Sequence, residues 1–271
     1  MNVRGARPGD TRSSLAAVPL SGGSPTTLAG TVAIGMEVGG VAVFKNEPYF
    51  SREFGPDPRD SGVFRYASGQ ATPVAGGPAS PATLTLAGDG GPATAASLDR
   101  PVGIGFNAAG DLFIAESGAG RVRRVSAGVI STYAGRGPCG DTLSPPSPGP
   151  ATQVALCLPG LLAVNATGDL FVTWRGRAWI ARVDRSGALS VFATNFQASG
   201  LATDTNGALL ATDGTTGRVV RFDATGKPTT IADGLGQAVA LAVGPDGSIY
   251  VINSTTPSGT FLPKVTKLRP M

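Results

Sequence analysis

PVGIGFNAAGDLFIAESGAGRVRRV, residues 101–125, decides the fold. It contains a short apolar run, a turn that ends in Gly110, a second apolar run and then a third. The same order returns in LPGLLAVNATGDLFVTWRGRAWIARV from Leu158, in SGLATDTNGALLATDGTTGRVVRF from Ser199 and in AVALAVGPDGSIYVINSTTPSGTFLPKVTKL from Ala238. The turn glycines Gly110, Gly168, Gly207 and Gly247 are separated by 58, 39 and 40 residues. A degenerate earlier copy, VGGVAVFKNEPYFS, begins at Val38, and a second set of turns recurs at Gly69, Gly128, Gly187 and Gly226. The runs are four to six residues long and are bounded by Gly, Asn, Asp and Ser, which is the pattern of strands and tight hairpins. Glycine suits those hairpins because a residue without Cβ adopts positive φ freely.

Units of roughly 40 residues with four antiparallel strands predict an all-β fold, a β-propeller. One such sheet cannot cover both of its faces, and radial stacking of neighbours does so. We read one propeller over 1–271, with full blades at 38–77, 100–135, 158–194 and 198–234 and a C-terminal, closing blade at 238–271. Segments 78–99 and 136–157 read as inter-blade insertions. VPLSGGSPTTLAG from Val18 matches RFDATGKPTTIADG from Arg221, so 1–37 reads as an incomplete blade of outer strands. Six sectors with one incomplete is the favoured count, and five closed blades is the alternative.

The Pro-x-Gly start, the Gly-Asp-Leu-Phe turn and strand, and the Gly-Arg-Val-x-Arg segment within 101–125 resemble NHL repeats of the bacterial type. The spacer AGDGGPATAASLDRP, 87–101, resembles the one common between such repeats. The resemblance runs from about residue 38 to the C-terminus, although the Asn-His-Leu triplet that names the family is impossible in a chain without histidine. It implies a propeller that binds a protein or small-molecule ligand, and it does not imply an enzyme.

Composition narrows the chemistry. With 40 glycines and 22 prolines among 271 residues, the chain is rich in turns, yet 41% hydrophobic residues suffice for a core. No histidine means no Ser-His-Asp nucleophile, no Cys-His pair and no His-ligated metal. A net charge of +4, with only 15% charged residues, gives no sign of a nucleic-acid partner, and no apolar run is long enough for a membrane span. A monomer is expected. Cys139 and Cys157 flank a Pro-rich segment and are expected to form a disulfide, which points to a periplasmic or secreted protein. Arg4, Arg7, Asp10 and Arg12 precede only LAAVPL, too short for the apolar region of a signal peptide.

In a four-stranded blade the second-to-third loops and the inter-blade connections share one rim. The long insertions, Arg52 to Gly62, Pro78 to Asp99, Arg136 to Cys157 and Asn253 to Pro263, all fall on that rim, which is the expected binding face. Arg52, Glu116, Trp174, Asp213 and Asn253 end the second strand of successive blades and differ throughout, as a ligand-facing ring would. Trp174 with Arg175 and Arg177 is expected to clamp an anionic or aromatic group, and Trp179 to pack in the core. Arg65, Arg124, Arg182, Arg221 and Lys267 share one register in the third strand; each is expected to face acidic or carbonyl groups of a neighbouring blade.

No cofactor is required by this reading. Its alternative is a hydrolase similar in kind to the sugar lactonases, with Ca²⁺ or Mg²⁺ held by Glu116, Asp213 and Asn253 among rim carboxylates that include Glu37 and Glu53. No lactonase motif appears in order.

Overall fold

The computed structural model describes residues 38–53, 61–76, 88–137, 145–254 and 264–269, together with the strands β1 (Asn2–Arg4), β2 (Ser14–Ala17) and β3 (Thr26–Thr27). Blade I is β4 (Val38–Phe44), β5 (Glu47–Arg52), β6 (Gly62–Ala67) and β7 (Gln70–Gly76). Blade II is β8 (Pro101–Phe106), β9 (Leu112–Glu116), β10 (Arg121–Ser126) and β11 (Val129–Ala134). A short β12 (Gly149–Pro150) precedes blade III, which is β13 (Pro159–Val164), β14 (Leu170–Trp174), β15 (Trp179–Val183) and β16 (Ala188–Thr194). Blade IV is β17 (Ala198–Thr203), β18 (Leu209–Asp213), β19 (Arg218–Phe222) and β20 (Pro228–Ala232). Blade V has three described strands, β21 (Gln237–Val243), β22 (Ile249–Ser254) and β23 (Lys264–Leu268).

Each blade is an antiparallel meander in which consecutive strands pair. The count is therefore five blades, the alternative, and not six sectors. Strands β1 to β3 pair with one another as a separate three-stranded sheet; they supply no edge strand to blade V. The eight turn glycines have φ between 76° and 93°, as the hairpin reading requires.

The core is a series of seams between blades. Alternate residues of β9 go to opposite seams: Leu112 and Ile114 pack with Val63, Ala75 and Leu98 towards blade I, whereas Phe113 and Ala115 pack with Leu162, Leu170 and Val172 towards blade III. In β18, Leu209 and Ala211 face blade III and Leu210 faces blade V. This two-sided burial explains why the strands are apolar at nearly every position.

Near the axis the inner strands touch backbone to backbone: β4 packs on β8, β8 on β13, β13 on β17 and β17 on β21. A Cβ on Gly40 would run into the carbonyl of Val102, and one on Gly103 into the carbonyl of Gly160. A bulge recurs in every inner strand, at Val38/Val41, Pro101/Ile104, Pro159/Leu162, Ala198/Gly200 and Ala238/Ala240. Buried hydroxyls fasten these bulges to their surroundings. Ser51 Oγ accepts the Gly40 N–H and donates to the Val102 carbonyl of the next blade, and Ser199 Oγ donates to the Ala238 carbonyl.

In their described parts, the two inter-blade insertions carry regular structure. GPATAASLDRP (91–101) and GPATQVALCLP (149–159) form the same motif, an edge pairing followed by a short 3-10 turn at Ala93–Ala95 or Ala151–Gln153. Ala93 donates its N–H to Gly128 O and Ala151 donates to Gly187 O, so each spacer reaches the hairpin at the end of its blade opposite the rim. Leu98 and Leu156 then bury themselves in the seams. The expectation that all surplus length crowds onto one rim is thus corrected for 88–99 and 149–157, which line the blade flanks. The segments 54–60, 77–87, 138–144 and 255–263, like Glu37 and most of 12–30, lie outside the described residues.

Candidate functional site

The five positions expected to form a ligand-facing ring are equivalent in register. Arg52, Glu116, Trp174, Asp213 and Asn253 pair with Val38, Pro101, Pro159, Ala198 and Ala238 of their inner strands. Their side chains, however, are engaged within the blades. Glu116 is fully buried: it accepts the Asp99 N–H at 2.8 Å and Arg123 Nη1 at 3.3 Å, and the equally buried Arg123 reaches Asp89 at 2.5 Å. Burial pushes the Glu116 carboxyl up, and the Arg123 guanidinium acts against that. Trp174 is buried in the seam between blades II and III, edge-on to Trp179 at 6.4 Å, and it is Trp179 that is only partly buried. Asn253 is fully buried, donates to Leu235 O and accepts from the Thr266 hydroxyl. Asp213 takes the Thr215 and Thr216 N–H groups and an ion pair from Arg218 at 3.1 Å. Arg52 lies 4.4 Å over the Phe64 ring.

A solvent-facing ring is therefore corrected for Glu116, Trp174 and Asn253. Nor do Glu116, Asp213 and Asn253 fit a Ca²⁺ or Mg²⁺ cage, because each directs its oxygens to partners of its own blade or of the spacer beside it. Among the described residues no three acidic, Cys or His side chains gather as a metal would need.

One step along extended backbone turns the side chain over, and in blades I and III this step brings in Glu53 and Arg175. Glu53 Oε2 and Arg175 Nη1 form an ion pair at 3.2 Å, joining blade I to blade III with blade II between them in the ring. A Cβ on Gly39 would stand 3.1 Å from Glu53 Cγ, and one on Gly160 would stand 3.1 Å from Arg175 Cγ. Both side chains thus lie over the inner strands and meet across the channel mouth. Glu53 is 6% exposed at its side chain and Arg175 is 50% exposed. Arg175 donates its N–H to Leu158 O at 2.9 Å, and Ser117 donates likewise to Arg100 O at 3.0 Å. Arg100 and Leu158 occupy equivalent places before β8 and β13, and both have φ of 51°. Arg177, half-buried, sits in the turn after Arg175.

At the opposite end of the blades the repeated cations form a ladder. Arg65 pairs with Glu47 at 3.4 Å, Arg124 with Asp111 at 2.7 Å, Arg182 with Asp169 at 2.9 Å, Arg221 with Asp204 at 2.8 Å and Lys267 with Asp246 at 3.5 Å. Each acid belongs to the first hairpin of the same blade, which corrects the expectation of a neighbouring blade. In blades II and III the turn begins with Asn107 or Asn165 and ends with Asp111 or Asp169. Blade IV reverses this: Asp204 begins the turn and accepts the Ala208 N–H at 2.9 Å, and its other oxygen still reaches Arg221. Every cation of the ladder is neutralised, so it provides no polyanion site.

The aspartates carry a pH consequence. For Asp111, burial pushes the carboxyl up but is outweighed by Ser126, Asn107 and Arg124; for Asp213 by Thr216 and Arg218; and for Asp89 by Thr132 and Arg123. All three are held below the ordinary carboxylate value. Their stabilisation is present above the unfolded value, near 3.9, and is lost as pH falls through the lower folded values. Glu116, raised, acts in the opposite sense, since its contribution fades as pH rises. Asp184, Asp223 and Asp246 are lowered as well, by hydrogen bonds within their exposed turns, so six carboxylates act against one and the melting temperature is expected to drop below about pH 4. A melting temperature constant from pH 7 to pH 3 would contradict this balance.

Cys157 is disulfide-bonded, and Cys139 lies outside the described residues. No helix among the described residues is long and apolar enough to cross a membrane.

No protein-family model and no curated protein sequence matches the chain. Solved structures do match its fold. A virginiamycin B lyase from Staphylococcus aureus superposes with a TM-score of 0.53 at 14% identity, over 96% of this chain and 77% of that one. A nidogen/laminin complex gives 0.59 at 15% identity, over 90% and 80%. A gluconolactonase from Xanthomonas campestris gives 0.59 at 18% identity, over 84% and 72%. At such identities the likeness speaks for the propeller fold alone.

Proposed function

We propose that this chain is a non-catalytic binding propeller of the NHL type, which recognises a ligand at the channel mouth on the rim of the second-to-third-strand loops. One observation carries the reading: the Glu53–Arg175 pair leaves its two blades and spans the ring over the axis. The ladder pairs, such as Arg124–Asp111, close within one sheet, and the buried hydroxyls reach only the next blade, whereas this pair joins two blades that are not adjacent. A charged pair at the mouth, half open to solvent through Arg175, offers fixed polar groups in a position where several blades converge. Arg175 and Arg177 remain from the expected clamp, and Trp174 is core packing. The disulfide at Cys157 supports an oxidising compartment, periplasmic or extracellular.

The test is a fragment screen followed by amide NMR on isotope-labelled protein. Shifts are expected to cluster at Glu53, Ser117, Leu158, Arg175 and Gly214. Shifts confined to the ladder end or to the outer strands would overturn the assignment.

A further inference from the structure

We infer that the outer edge of blade I, at Gly69 to Ala71, docks an extended, uncharged Gly-Gly-Pro-Ala-Thr segment of a partner protein, which adds to the sheet as a further strand. The site lies on the outer edge of the blade and is independent of the channel mouth. Its ligand is read from the chain itself, because two equivalent edges are already occupied. In blade II, Gly90 donates its N–H to Ile130 O at 2.8 Å, Ile130 donates to Gly91 O at 3.1 Å and Ala93 donates to Gly128 O at 2.8 Å. In blade III, Gly149 and Pro150 pair with Leu189 and Ala188, and Ala151 donates to Gly187 O. Both occupants read Gly-Pro-Ala-Thr. Proline fits there because the residue opposite it, Val129 or Ala188, turns its own N–H and carbonyl towards the third strand.

Blade I has the hairpin of blade II without the occupant. Ser68 and Gly69 have φ of 50° and 81°, against 47° and 80° for Ala127 and Gly128. Tyr66 pairs with Ala71 and Ala67 with Gln70, as Val125 pairs with Ile130 and Ser126 with Val129. Ala71 therefore directs its N–H and carbonyl away from β6, as Ile130 directs them away from β10. Among the described residues no strand pairs with that side of β7, and Gln70 and Thr72 are exposed. Blade IV is closed to such a strand, since Pro228 stands where Ala71 does and has no N–H to offer. One difference defines the segment that fits. Asp89 of the blade II spacer is held by Arg123 and Thr132, whereas blade I has Phe64 and Pro73 at those places, so an acid before the glycines meets neither guanidinium nor N–H.

The experiment titrates the intact, isotope-labelled protein with the capped peptide Gly-Gly-Pro-Ala-Thr-Ala and follows amide NMR. Shifts are expected at Gly69, Gln70 and Ala71. Ala71→Pro leaves the bonds between β6 and β7 in place, as Pro228 does in blade IV, and is expected to weaken binding at least about tenfold without lowering the melting temperature. N-methylation of the first alanine of the peptide, which removes the donor to Gly69 O, is expected to weaken it equally. An aspartate added before the glycines of the peptide is expected to change nothing. Binding strengthened by that aspartate, with shifts at Arg123 and Thr132, would mean that the peptide displaces the blade II spacer, and would overturn the assignment. No shift at Gly69 to Ala71 with millimolar peptide would overturn it too, as would binding indifferent to Ala71→Pro and to N-methylation. Self-association without peptide, abolished by Ala71→Pro, would replace the foreign partner with a second copy of this chain.

Discussion

Gly103→Ala is expected to cost about 3 kcal/mol of unfolding free energy, at the upper end for an overpacked core. The added Cβ meets the Gly160 carbonyl well inside van der Waals contact and the Leu162 nitrogen at 2.9 Å. Both are backbone atoms of β13, so no rotamer relieves the clash. Strand β8 cannot retreat, because β4 packs on its other side and the Gly40 position is already hard against Val102 O. Gly105→Ala is the control. Its Cβ would find only Val164 Cγ2, at 3.5 Å, and the expected change is below about 1 kcal/mol. Urea unfolding midpoints check the pair, and a Gly103→Ala protein as stable as the control would show that the inner strands have room to separate.

Arg123→Ala is expected to cost about 3–5 kcal/mol, the range for removing one partner of a buried ion pair. The loss leaves Glu116 fully buried beside only the Asp99 N–H, and it unties the spacer's Asp89 from strand β10. Because a lone buried carboxylate takes up a proton readily, the deficit should shrink as pH is lowered. Replacing both members, Glu116→Gln with Arg123→Met, removes the orphaned charge and should recover more than half of the loss. A double variant no better than Arg123→Ala would mean that the guanidinium acts through packing and not through charge.

The propeller was legible because its signals are local. Turn glycines, four-to-six-residue apolar runs and the repeat from Pro101 to Val125 all report on neighbouring strands, and the alignment of Arg52, Glu116, Trp174, Asp213 and Asn253 survives as one register. What failed, for Glu116, Trp174 and Asn253, was the direction in which the side chain points. They lie one residue short of the channel mouth, and an outward Glu116 and an inward one differ only in whether an Arg123 waits in the next strand. Glu53 was visible as a rim carboxylate. Its partner was not, because 122 residues separate it from Arg175 and only the curvature of the ring brings them together. The second spacer, GPATQ after Pro148, matches the first closely enough to have been found by inspection. The blade count depends on residues 1–37, whose similarity to outer strands says nothing about which sheet they join.

The reversed hairpin of blade IV has a bearing on how such a chain ages. Because a carboxylate at either end of the turn reaches the arginine of the same register, copies can carry the acid at one place or the other without abandoning the tie. Descendants of one ancestral unit then lose letter-by-letter likeness faster than they lose shape, and comparison by motif alone will undercount kin that a superposition still gathers.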